Sequence, residues 1–204
     1  MRRWLDAAAR ITWVLLVGQG LLLPPSTLPG ASPHSPAGSS DLARIGSLRE
    51  MQDWLGDLYR EAVHAKQGNR LTFELQETIL KKSGESISRI LELEKGARLA
   101  DPKVAKAYEA AFEKNDEILR FIIRCNEEEV DRLQEEKLDK VEDEQAFLDS
   151  PEWQMPHRLI SLSRYWMSWS GYYRSFLCPA DGGERKRLLD EAIAGFSQIG
   201  RAHV

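Results

Sequence analysis

The chain has 204 residues, enough for one domain with a real core, or one domain plus part of a second. Apolar residues make up 42% of it, ordinary for a soluble protein, and the formal charge is −4. Arg2, Arg3 and Arg10 outweigh Asp6 in the first ten residues, so the rest carries −6; that balance leaves no basic face for a polyanion and excludes nucleic acid as the expected partner.

The N-terminus has three parts. A basic start precedes the apolar run of residues 11–23, ITWVLLVGQGLLL, and then comes PPSTLPGASPHSPAGSS. Thirteen apolar residues fall short of the roughly 20 that span a bilayer but suit an export signal of about 7 to 15. Residues 1–31 therefore read as a signal peptide, with an uncleaved membrane anchor or a buried helix as alternatives. Cleavage near Ala31 is the best position, although Pro29 suits it poorly. The expected location is periplasmic or secreted, or membrane-anchored by this segment, and membrane contact is expected through it alone. No cysteine occurs before residue 41, so a lipid-anchored N-terminus is not implied. Residues 32–40 continue the Pro/Ser/Gly composition and read as a flexible linker.

A helical domain is expected over 41–150. Leu42, Ile45, Leu48, Met51, Leu55, Leu58, Tyr59 and Val63 recur every three or four residues, giving an amphipathic helix that Gly68-Asn69 ends. A second helix runs from Leu71 to Glu94, with a kink or break expected at Gly84. Asp101-Pro102 pairs a capping carboxylate with proline at the first helical position and starts a third. Its stripe continues, imperfectly, through Val104, Tyr108, Phe112, Ile118, Leu119, Ile122, Val130, Leu133, Leu138, Val141, Phe147 and Leu148. A helix of over 40 residues is unusual in a compact domain, so a break near Asn126 or a projecting coiled-coil-like arm is expected. Glu127, Glu128, Glu129, Glu135 and Glu136 read as a solvated acidic face.

Residues 151–198 are expected to form an αα-hairpin. Ser150-Pro151 opens it, the aromatic-rich ISLSRYWMSWSGYYRSFL fills its first helix, and ERKRLLDEAIAGFSQI its second, joined by a Cys178-Pro179 and Gly182-Gly183 loop. No strand pattern occurs, so the fold class is all-α, built of helical hairpins.

The stretch Leu189 to Phe196 resembles the second helix of a tetratricopeptide-type repeat. Ala192 takes the place of the small residue at the helix crossing and Phe196 that of the packing aromatic. In the first helix Gly171 is the matching small contact, and Trp169 or Tyr172 the large one. The joining loop is longer than that family's turn, and its tryptophan–glycine–tyrosine spacing is not met. The resemblance covers one degenerate unit, about residues 159–198. It implies the start of a solenoid that stacks further units and binds a protein or peptide. A lone unit leaves its stacking face bare, which implies self-association through this hairpin. Residues 199–204, IGRAHV, resemble the translation of a common sequencing adapter, so they are expected to be an artefactual tail and the hairpin to be truncated there.

Trp166, Trp169, Tyr172 and Tyr173, flanked by Arg164 and Arg174, are the candidate binding residues, because tyrosine and tryptophan anchor interfaces. Core packing of the hairpin is the plainer reading of the same rings. His34, His64, His157 and His203 lie far apart, and no motif for zinc, phosphate or a nucleophile occurs, so no cofactor, metal or catalytic residue is expected. Cys125 and Cys178 read as small hydrophobes, with a disulfide as the alternative outside the cytoplasm. The expected function is an exported, non-catalytic scaffold for a protein or peptide. Its alternatives are an aromatic-lined small-ligand component of an envelope or transport system, and an enzyme whose catalytic part lies beyond residue 204.

Overall fold

The computed structural model describes residues 37–94, 101–179 and 182–201, and the expectations for residues 1–36 and 202–204 lie outside these. Six α-helices and two short 3₁₀ turns make up the described chain, which contains no strand: α1 Ala37–Gln67, α2 Phe73–Glu94, α3 Pro102–Glu136, α4 Glu144–Leu148, α5 Pro151–Arg174 and α6 Gly183–Arg201.

Local chemistry sets the boundaries. Asn69, with φ of 52°, reverses the chain after α1, and the Arg70 amide closes that end by donating to the Ala65 carbonyl at 2.7 Å. The Asp101 carboxylate accepts from the Lys103 amide at 2.8 Å with Pro102 behind it, and Ser150 with Pro151 starts α5 in the same way. α1 begins at Ala37, four residues ahead of Asp41.

Two expectations about continuity are corrected. α2 runs unbroken through Gly84, and α3 runs unbroken through Asn126. Asn126 is buried rather than disruptive: its amide donates to Gln76 Oε1 at 2.6 Å and to the Ile122 carbonyl at 2.8 Å. α3 stops at Glu136, where its last turn carries no basic side chain to complement the helix dipole. The residues beyond form the 3₁₀ turn Leu138–Lys140 and the separate α4, capped by Asp143, so the stripe counted as far as Leu148 is spread over three elements, with Val141 between two of them.

α3 is the central helix and packs on α1, α2 and α5, while α6 packs chiefly on α5. Cross-helix contacts fix the directions. Gln52 with Ala107, Tyr59 with Phe121 and Lys66 with Glu128 make α1 and α3 parallel. Ser83 with Asn115 and Gln76 with Asn126 make α2 antiparallel to α3, and Arg164 with Glu127 and Arg174 with Glu109 do the same for α5. The long helices thus alternate up and down. The core joins Leu48, Leu55, Ile79, Ile87, Ile90, Tyr108, Phe112, Ile118, Leu119, Ile122 and Leu159, so α5 shares it with α1, α2 and α3. Cys125 is buried, Cys178 half-buried, and both are free thiols.

Candidate partner-binding face

The aromatic residues of α5 fall at positions 165, 169, 172 and 176, a spacing of four, three and four that puts Tyr165, Trp169, Tyr172 and Phe176 on one helix stripe. Successive ring centroids lie 6.2, 5.8 and 5.1 Å apart, all edge to face, the arrangement favoured by ring quadrupoles. Phe196 of α6 closes on Trp169 at 5.3 Å and on Tyr165 at 6.1 Å. Phe176, 42% exposed, ends the stripe, with the Arg185 guanidinium 5.6 Å from its ring centre.

Close backbone approach lets α6 sit here. A Cβ on Gly171 would lie 3.9 Å from that of Ala192, an ordinary contact, whereas one on Gly195 would fall 2.1 Å from Ser168 Oγ. The pairs 171 with 192 and 168 with 195 make α5 and α6 antiparallel. Leu188 and Ala192 are buried against α5, and Ile193 on the outer side is 49% exposed.

The six candidate residues divide three ways. Trp166 and Tyr173 pack against the core, and Trp166 rests on α2, where a Cβ on Gly84 would fall 2.6 Å from its ring. Trp169 and Tyr172 lie in the half-buried stripe beside α6, with Trp169 also stacked on Tyr173 at 5.5 Å. Arg164 and Arg174 turn to α3 instead of rimming the aromatic rings. Arg164 pairs with Glu127 at 2.9 Å. Arg174, with its side chain 13% exposed, reaches Asp116 at 3.3 Å, Glu109 at 3.4 Å and Glu113 at 3.5 Å. Tyr165, Phe176 and Phe196 complete the face.

A polar seam between α3 and its neighbours was not read from the sequence. Asn115, fully buried, accepts from Ser83 at 2.6 Å and Ser86 at 2.9 Å. Asp116 beside it is buried against α5, and burial pushes its carboxyl above the ordinary aspartate value, opposed by the Ser170 hydroxyl, Arg174 and Arg120. The signal lay in the register: 108, 112, 115, 119, 122 and 126 step by four and three, and Asn115 and Asn126 are the polar members of that apolar series. Burial likewise raises the Tyr165 phenol.

Two cavities flank the α1–α2 turn, away from the aromatic face. One of about 180 Å³ is lined by Lys66, Asn69, Leu71, Phe73, Gln76, Cys125 and Glu129. The other, of about 390 Å³, is lined by Glu61, His64, Ala65, Arg70 and Leu75. Burial pushes the Cys125 thiol up, away from the thiolate a nucleophile needs. Among the described residues no helix is long and apolar enough to cross a membrane. No family model, curated protein or solved structure matches the chain.

Proposed function

We propose that the chain is an exported binding protein, without catalysis of its own, that receives a protein or peptide segment on the α5–α6 aromatic face. The observation that carries this reading is the stripe Tyr165, Trp169, Tyr172 and Phe176, reinforced by Phe196: five rings in continuous contact, none of them fully buried. Large amphipathic rings held rigid by their neighbours lose little entropy when a partner docks, and they dominate binding energy where they occur. The antiparallel pair, with Ala192 at the Gly171 crossing and Phe196 against Trp169, supports reading α5–α6 as one repeat-like unit.

The test is to pan a random peptide library displayed on phage against the full chain. Enriched peptides are expected to bind at least about tenfold more weakly to Trp169→Ala, the loss typical of an anchor residue. Circular dichroism of the variant checks that it remains folded. If no peptide is enriched, or enriched peptides bind a folded Trp169→Ala chain equally well, the reading is wrong.

A further inference from the structure

We propose that the aromatic stripe of α5 receives an amphipathic helix of another protein, one that sets apolar residues on the rings and a basic edge against α2. This rests on the reading of α5–α6 as a docking face and supplies the shape and charge of what docks there.

The stripe lies between two helices. Trp166, on one side of it, rests on Gly84 of α2, while Ser168 and Gly171, on the other, meet Gly195 and Ala192 of α6. Among the described residues no sheet edge offers hydrogen bonds to an extended chain. Steps of four, three and four residues from Tyr165 through Trp169 and Tyr172 to Phe176, which sits in the turn Ser175–Leu177, are the spacing of a heptad seam. Such a seam is met by the side chains of a second helix. Phe196 of α6 takes one flank of it, and Phe176 and Ile193 remain 42% and 49% exposed.

Charge marks the edges. On α2, Ser83 faces α3, where it meets Asn115, and Gly84 faces α5. The next residue, Glu85, therefore turns to the side away from α3, where the stripe is open, and Glu92 repeats it seven residues on. Both are exposed, and among the described residues neither is ion-paired, whereas Glu77 is held by Arg158. The contacts of Gly84 with Trp166 and of Glu77 with Arg158 set the levels: Glu85 stands beside the middle of the stripe and Glu92 beside Phe176, about 10 Å apart. A helix laid along the rings offers both carboxylates a basic side chain from positions seven apart. Lys81, one turn before Glu85, leaves this row net acidic. Across the stripe, Arg185 and Lys186 of α6 stand at the Phe176 end, so the opposite edge of the occupant is acidic there.

A second copy of this face fits worse. A two-fold axis along α5 lays α2 over the partner's α6 and sets Glu85 on the partner's Ile193. A two-fold axis across α5 lays α2 over α2 and brings Glu85 to the partner's Glu92.

The test uses the full chain and fluorescein-labelled peptides of about 18 residues built on leucine heptads, about 27 Å long against about 16 Å of stripe. One peptide has a lysine edge and a glutamate edge, a second has glutamate on both, and a third is the first with proline at its centre. By fluorescence anisotropy the first should bind about tenfold more tightly than either of the others. A chain carrying Glu85→Lys and Glu92→Lys should invert the preference between the first two, and Trp169→Ala should weaken both. The proline peptide binding as well as the first, or an unchanged preference in the doubly altered chain, overturns the proposal. So does sedimentation of the unaltered chain as a dimer that Trp169→Ala makes monomeric, which would name a second copy as the occupant. If library peptides bind through Trp169 while none of the designed peptides does, the docking reading survives and only its helical occupant is wrong; if neither kind binds, both fall.

Discussion

Gly46 and Gly84 are both helix-interior glycines, and their surroundings are opposite. A Cβ at Gly46 would meet nothing within 4 Å, while at Gly84 it would fall 2.6 and 2.7 Å from ring carbons of Trp166. Gly46→Ala is therefore expected to stabilise the chain by about 0.5–1 kcal/mol through the unfolded backbone. Gly84→Ala gains about the same in propensity but must move an indole wedged between α2 and α5, at about 1–3 kcal/mol for overpacking. Urea midpoints at unchanged slope should move up for the first and down for the second; a stabilised Gly84→Ala would show that Trp166 does not rest on α2. The sequence flagged Gly84 for the right reason, its poor helix propensity, and drew the wrong consequence. A glycine that weakens a helix and a glycine that seats a neighbouring ring look alike until the ring's position is known. Trp166, eighty-two residues later, gives no local sign of its destination. Caps are the opposite case: Asp101-Pro102 and Ser150-Pro151 were legible because both members of each interaction lie within three residues.

Between elements, α3 and α5 are joined by charge as much as by apolar packing. Arg174 spans Glu109, Glu113 and Asp116, and Arg120 stands 3.8 Å from Asp116 on its own helix. Of these acids Asp116 is the buried one, and burial raises its folded pKa above the unfolded value. The folded state thus holds this proton more tightly than the unfolded state does. The stabilising contribution of the protonated form is complete below the unfolded pKa and is lost as pH rises through the folded one. Asp116→Asn removes that titration while Glu109 and Glu113 still face Arg174. The stability of the unaltered chain relative to Asp116→Asn should therefore rise as pH falls from neutral toward 4. Chemical denaturation of both proteins at several pH values measures it, and parallel pH profiles would count against the assignment. The helices themselves were readable from apolar spacing, because periodicity is local. The break after Glu136 was not, since Leu138 and Phe147 happen to continue the series. Nor were Arg164 and Arg174 readable as clamps on α3: adjacency to aromatic residues in sequence says nothing about which face of α5 a guanidinium takes.

For the whole molecule, helical spacing without any strand pattern made the all-helical class plain, while the order of packing around α3 came only from contacts across dozens of residues. Export rests on residues 1–31, and it has a direct test: residues 1–40 fused to a periplasmic reporter such as alkaline phosphatase should carry it out of the cytoplasm. An inactive, cytoplasmic fusion would remove export from the reading and leave the binding face untouched. The alternation of α1, α2, α3, α5 and α6 has one more consequence. Five long helices are an odd number, so the chain enters the bundle at one end and α6 climbs away from that end for about 28 Å, at 1.5 Å per residue. A surface holding the N-terminal side and a load joined at Arg201 would be kept apart by that length of packed helix. Tension applied between the start of α1 and Arg201 would draw α6 lengthwise against α5, shearing the Phe196–Trp169 contact instead of peeling it.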